Sequence, residues 1–304
     1  MMMKDDFVNL HCHSSASLQD SIIKIPNLIN KVQEYGQSAV AVTDHASCAS
    51  WFELENECQN TDIKPIYGNE FYCVPEYQKG SRRRDHLIML AMNEEGLVNI
   101  RRMQRIAVEH FYYKPLISYD DIENLPHEGI YCTSACSLSV ISKCILQDNM
   151  ESAIRYAESF NLMFDGNFSL ELQMHPEYQD QSKINHALVE ISDKLDIPLT
   201  VSCDCHFVDE TDRDLRRIVQ AISWKKKYDE VNDSLRSNCV GNSTLVKQFA
   251  LDSNFQYMHV IPQAIKQTNK IAQMCNAKLE EPQRRIPVFD KYEEFNNLVE
   301  ELEW

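Results

Sequence analysis

Metal-ligand side chains recur at the ends of short apolar runs in this sequence of 304 residues. The run FVNLHCH ends His11, Cys12, His13; side chains alternate along a strand, so the two imidazoles share a face while Cys12 points away. A second run ends Thr43, Asp44, His45. A third carries Glu70 shortly after Gly68, whose missing Cβ permits close backbone approach. Another ends in Cys136, on the alternation of Cys132 and Ser134, and the last ends Cys203, Asp204, Cys205, His206, with Asp204 and His206 facing together. Each has a plainer reading, since an Asp after a strand can cap a helix and a lone Cys is commonly a small core residue. That reading has to be invoked independently at five strand ends, which makes a metal site the better account. Imidazole with carboxylate and one thiolate suits Zn, Mn or Fe rather than Ca or Mg, and the candidates are too many for one four-coordinate ion. Two or three divalent ions follow. Such a cluster activates water and clamps the oxygens of a phosphate ester, so phosphate-ester hydrolysis is the chemistry expected. Cys203 and Cys205 have no second pair at zinc-finger spacing, and Gly is too scarce and ill placed for a P-loop or a Rossmann turn.

Chemistry at strand ends requires strands that converge. Seven apolar, β-branched runs span 7–13, 39–45, 65–74, 86–93, 129–136, 168–175 and 198–206, and the stretches 25–35, 50–59, 96–110, 137–146, 150–161 and 181–195 have helical character. This alternation signals βα units around a parallel sheet or barrel, whose strand C-termini share one mouth. Helices are expected at 212–224, 243–251 and 262–276, followed by an acidic tail. The expected organisation is one α/β domain over 1–285, with residues 286–304 as an acidic C-terminal segment.

Composition fits a globule: 43% of residues are hydrophobic and 25% charged. The longest notable uncharged stretch, 129–142, falls short of the roughly 18 residues that suggest a bilayer span, so no membrane role is expected. Eleven cysteines, an odd number, behind a start without signal-peptide character point to a reducing cytoplasm. A net charge of −16 argues against gripping nucleic acid through general basicity. The basic residues are nonetheless clustered, as Lys79, Arg82, Arg83 and Arg84 before His86, and as Arg213, Arg216, Arg217 and Lys225 to Lys227 after His206. Such a molecule would hold long DNA weakly, and would depend on a partner or act on chain ends.

The segments FVNLHCHSSASLQDS, AVAVTDHASC, IKPIYGNEFY, RDHLIMLAMNEEG, FYYKPLI, TSAC, LELQMH and IPLTVSCDCHF resemble, in order, the PHP (polymerase and histidinol phosphatase) domain, in the form found at the N-terminus of bacterial DNA polymerase III alpha subunits. The resemblance implies a distorted seven-stranded β/α barrel of PHP type holding a trinuclear metal centre. Its nine ligand positions fall on His11, His13, Asp20, His45, Glu70, His86, Cys136, Asp204 and His206, and all nine residues are ligand-capable. Asp20 and His86 are not marked by the strand pattern; His86 stands at the start of its run, which is awkward in a parallel barrel.

A full ligand set favours an active enzyme, and the resemblance implies a 3′→5′ exonuclease acting on DNA 3′ ends, in which a hydroxide bridging the ions attacks phosphorus. Lys226 aligns with a family lysine near the site and, with Arg84, is a candidate substrate contact; His175 is a candidate proton donor. The alternatives are a phosphomonoesterase or pyrophosphatase, and a non-catalytic subunit docking on a separately encoded polymerase or replication factor. RRIPVFDKYEEF resembles the family's linker into the polymerase palm, so the chain is expected to be free-standing or one piece of a polymerase encoded in parts. The acidic segment from Lys291 to Trp304, with Phe295, Leu298, Val299 and Leu302 at helical spacing, is a candidate docking surface.

Overall fold

Strand-forming runs that are apolar on both faces need cover on both sides. The computed structural model, which describes residues 5–78, 82–231 and 235–280, supplies it. Seven strands, β1 (Ala39–Val42), β2 (Lys64–Val74), β3 (Asp85–Ala91), β4 (Ile117–Ser118), β5 (Ile130–Thr133), β6 (Phe168–Gln173) and β7 (Leu199–Ser202), form one curled sheet in the order β1-β2-β3-β5-β6-β7, with β4 on β2. Around and after it run α1 (Ile25–Glu34), α2 (Trp51–Cys58), α3 (Glu94–Glu109), α4 (Tyr119–Asn124), α5 (Val140–Leu146), α6 (Met150–Met163), α7 (Gln181–Leu195), α8 (Arg213–Trp224), α9 (Ser243–Asp252) and α10 (Ile261–Met274). Their starts are locally encoded: the side chains of Asn93, Ser139, Asn149 and Asn242 accept the backbone N–H three residues on, capping α3, α5, α6 and α9. The mixed α/β barrel-like class expected from the sequence is the class observed. Lys79 and the segment 286–304, including the expected helix from Lys291, lie outside the described residues.

Two departures from the expected all-parallel barrel position the site. The segment 7–13 is not a regular strand. It makes isolated parallel bridges, Asn9 with Val40 and Cys12 with Cys205, and thereby joins β1 to the chain leaving β7 and closes the ring. The bonds Thr43 N–H to Cys12 C=O (2.8 Å) and His13 N–H to Cys205 C=O (2.9 Å) fix its register. The second departure is direction: β3 runs antiparallel to both β2 and β5, pairing His86 with Tyr72 and Ile88 with Thr133. The start of β3 therefore lies at the mouth, beside the ends of its neighbours, which removes the difficulty over His86. The β2–β3 pair is tight: a Cβ on Gly68 would come within 2.9 Å of the Met89 carbonyl oxygen and 2.8 Å of Thr43 Cγ2.

The opposite end is plugged. Ile271 and Ala272 of α10, with Cys275 just after it, pack into a buried cluster with Val8, Leu10, Ala39, Ala41, Ile66, Ile88, Leu90 and Tyr131. A larger apolar core fills the space between the sheet and the surrounding helices.

Candidate metal centre

All nine expected ligand positions meet at the mouth. Glu70 of β2 is the hub: Oε1 lies 2.8 Å from His86 Nδ1 and 3.5 Å from His11 Nε2, and Oε2 lies 2.8 Å from His45 Nδ1 and 3.2 Å from His13 Nε2. Asp204, just past β7, places Oδ1 3.1 Å from His11 Nε2 and 3.4 Å from both His13 Nε2 and His206 Nδ1. Asp20, in the loop before α1, reaches His45 Nε2 (3.1 Å) and His206 Nε2 (3.4 Å). Cys136 Sγ lies 3.4 Å from His86 Nδ1 and 3.8 Å from Glu70 Oε1. The backbone is unusual at these points: Asp204 itself and Gln19, Ala46 and Ala135, each next to a ligand position, have φ between 43° and 64°. Left-handed backbone at non-glycine residues is costly and persists where the surroundings enforce it.

Several residues that the sequence pattern did not mark hold the imidazoles in place. Glu171 on β6 accepts from His11 Nδ1 (2.7 Å), and also from the hydroxyls of Thr133 (2.6 Å) and Ser202 (2.6 Å). Ser17 donates its only hydroxyl hydrogen to Asp44 (2.8 Å), so towards His13 Nδ1 (3.0 Å) it can only accept. His206 Nδ1 donates to the Asp204 carbonyl (2.8 Å). In each case the far nitrogen, Nε2, turns its lone pair towards the cluster, the arrangement by which outer hydrogen bonds fix metal-binding imidazoles. Arg216 on α8, itself buried, donates to Asp20 Oδ1 (2.9 Å), the Asp20 carbonyl (3.2 Å) and Asn238 Oδ1 (3.0 Å). The alternation of Glu171 with His175 was visible in the sequence; nothing there distinguished Arg216 from a surface arginine.

The donor set fits divalent cations. Glu70 Oε2, Asp204 Oδ1 and His45 Nδ1 are buried without a well-formed hydrogen bond, although each lies within 3.5 Å of a ring nitrogen or a carboxylate oxygen. Acceptors crowded together and left unpaired are what a cation would satisfy. Among the described residues three overlapping groups, His13–His45–His206, His11–His13–Glu70 and His45–Glu70–His86, bring their donor atoms within 4.8 Å of one another.

Without ions, protons carry the positive charge. Burial pushes His11 and His45 down, but Asp204, Glu171 and Glu70 around His11, and Glu70 and Asp20 around His45, outweigh it; His11 is held well above its usual value and His45 is raised to about 10. Burial raises Glu70 and Asp204, and the surrounding histidines overcome it, holding both carboxyls below the usual range. Burial, with Glu70 and Asp204 nearby, pushes the Cys136 thiol well up.

The three expected substrate residues stand differently. His175 is buried, its Nδ1 bonded to Ser237 Oγ (2.7 Å), and burial lowers it to about 4; it lines a cavity of about 470 Å³ together with Asp204, His206, Cys136 and Glu70. Arg84 lines a second, larger cavity of about 1090 Å³ that opens on Asp20, His45 and His86, and it donates to the Tyr112 carbonyl (2.9 Å). Lys226 lines neither; its ammonium lies 5.5 Å from the ring of Trp224, which lines both.

The model of the PHP domain family matches residues 9–175. The DNA polymerase III subunit alpha of Borreliella burgdorferi is 34% identical over 100% of this chain and 26% of its own, and that of Treponema pallidum is 29% identical over 97% and 25%. The chain thus spans about a quarter of the length of these curated relatives. Among solved structures, an amidohydrolase from Chromobacterium violaceum aligns over 66% of this chain and 87% of its own, at 12% identity and a TM-score of 0.42.

Proposed function

Because this chain belongs to the PHP domain family, we propose that it hydrolyses phosphate esters with two or three divalent ions (Zn, Mn or Fe), and that its substrate is the phosphodiester bond at a DNA 3′ end. The observation that carries the reading is the convergence of five histidines, three carboxylates and one thiol on one mouth, with buried acceptors there left unpaired. His11, His13, Asp20, His45, Glu70, His86, Cys136, Asp204 and His206 would hold the ions. Bound ions would supply Lewis-acid stabilisation of phosphoryl charge and an activated water.

The chain's own groups prepare that site. Glu171, Ser17 and the Asp204 carbonyl fix the tautomers of His11, His13 and His206. Arg216 clamps Asp20 at the edge of the cavity. His175, held at about 4, is neutral at physiological pH, and Ser237 occupies its Nδ1, so Nε2 is the atom available to a substrate. As a proton donor it would first take the proton released by the attacking water and then pass it to the leaving oxygen. The relatives' role in a DNA polymerase supports DNA as the substrate and a replication protein as the partner.

The test is hydrolysis of a 3′-labelled oligonucleotide and of p-nitrophenyl phosphate with added Mn²⁺ or Zn²⁺, for the wild type beside His45→Ala and Asp204→Asn. The expected result is 3′ shortening in the wild type and a loss of at least 10²-fold in both variants. Turnover of the monoester alone would replace the exonuclease reading with a phosphomonoesterase; retained activity in both variants would exclude the metal-centre mechanism. A second reading, a module docking on a separately encoded polymerase, is supported by α8, whose Leu215 (56% exposed), Ile218 and Ile222 (68%) face outward at helical spacing.

A further inference from the structure

The larger cavity is more than a phosphate pocket. Its lining gathers Arg82, Arg83, Arg84, Lys114, Lys143 and Arg155 from four separate stretches of a chain whose net charge is −16. Arg83 and Lys143 spend part of their charge on the buried Asp85, at 2.9 Å and 2.8 Å. Arg82, Lys114 and Arg155 are exposed and make no ion pair among the described residues. Asp20 is the one acid in the lining, and Arg216 already neutralises it. Exposed cations brought together without counter-charges are unfavourable unless an anion joins them. Three aromatic rings, Tyr72, Tyr156 and Trp224, share the lining, and Trp224 is 40% exposed. The volume of about 1090 Å³ lies beyond the range of roughly 300–1,000 Å³ typical of small-molecule pockets, so a monoester would leave most of it empty.

Cations that follow a backbone, together with aromatic rings that accept any base, are the means by which proteins hold unpaired nucleic-acid strands. We propose that this cleft is a single-strand track, in which Arg82, Lys114 and Arg155 carry successive phosphates, Trp224 stacks a base, and the strand's end is delivered to the His45–His86 side of the metal centre. Duplex ends would have to be unpaired to enter. The proposal rests on the hydrolytic reading for its direction, but its binding step can be measured without turnover.

The test is fluorescence anisotropy of a labelled oligothymidylate of about 12 nucleotides, and of its blunt duplex, with the whole chain in excess EDTA so that no cleavage occurs. The expected result is binding of the strand in preference to the duplex. In Arg82→Ala/Arg155→Ala the slope of log affinity against log salt should become shallower by about 1.4, as loss of two single-strand phosphate contacts requires. Trp224→Ala should weaken binding roughly tenfold with the slope unchanged. All three side chains are exposed, and unaltered melting midpoints would show that the variants remain folded. No strand binding, equal binding of duplex, or an unchanged slope in the double variant would overturn the track. Strand binding without any hydrolysis would overturn the enzymatic reading and leave the track standing; monoester hydrolysis without strand binding would do the reverse.

Discussion

Three of the five imidazoles at the mouth, those of His11, His13 and His206, are gripped from behind. Glu171 is the clearest case, a buried carboxylate that touches no ion position yet orients His11 while the hydroxyls of Thr133 and Ser202 hold it in turn. Glu171→Gln should lower metal affinity by about 10–100-fold with the fold intact, measured by competition with a chromogenic chelator; unchanged affinity would mean that His11 is positioned by packing alone. The histidines also set a pH dependence for the metal-free protein. His11 and His45 have folded values above the unfolded one of about 6.5, so their contribution to stability is complete below that pH and is lost as the pH rises towards 10. His175 and His206, buried and lowered to about 4, act in the opposite sense: between about 6.5 and 4 the unfolded chain takes up protons that the folded one refuses, and stability falls as the pH falls. The melting midpoint in EDTA should therefore peak near pH 6.5. Added Zn²⁺ or Mn²⁺ should lift the alkaline side, because the ions replace the protons on His11 and His45. A midpoint in EDTA that still climbs between pH 7 and 9 would contradict this account.

Among the elements, direction decides more than existence. The apolar runs and the helices between them were legible because buried strands read as continuous Val, Ile and Leu, and helices as capped amphipathic stretches. The direction of β3 was not, since DHLIMLA is buried along its whole length and such a pattern looks the same whichever way the strand runs. The segment 7–13 carried the pattern of a strand but pairs only through bridges, at a place where it must follow two neighbours. Asp20, in a loop without periodicity, and Arg216, on a helix that presents Leu215, Ile218 and Ile222 outward, had no sequence signal of their own. Gly68 was visible, and its reason is steric. Gly68→Ala should cost about 1–3 kcal/mol in urea unfolding, because the Met89 carbonyl oxygen at 2.9 Å is backbone and cannot turn aside as a side-chain tip could. Arg216→Lys removes the forked geometry that a single ammonium cannot reproduce. It should raise the concentration of metal needed for half-maximal activity while leaving the melting midpoint of the metal-free protein within a few degrees; no change in metal demand would show that Asp20 needs no clamp.

For the whole molecule, the centre ties remote parts of the chain together, and ions held there act on global stability. Saturation at about 100 times the dissociation constant is worth roughly 2.7 kcal/mol per independent site, so EDTA should lower the melting midpoint by several degrees and Zn²⁺ or Mn²⁺ should restore it. An EDTA-insensitive midpoint would mean that the ions do not bridge the fold. The closure of the ring also has a consequence for the order of assembly. Cys12 forms a backbone bridge with Cys205, and Asn9 reaches the Gly241 carbonyl at 2.9 Å, so earlier residues are completed by residues made much later. During synthesis Ser17, Glu70 and Glu171 precede Asp204 and His206, so His11 and His13 have their outer partners before the two ligand positions that complete their side of the mouth, and loop closure over such a separation is slow. A nascent chain halted before residue 204 would carry seven of the nine ligand positions but lack Asp204, His206 and the segment that closes the ring.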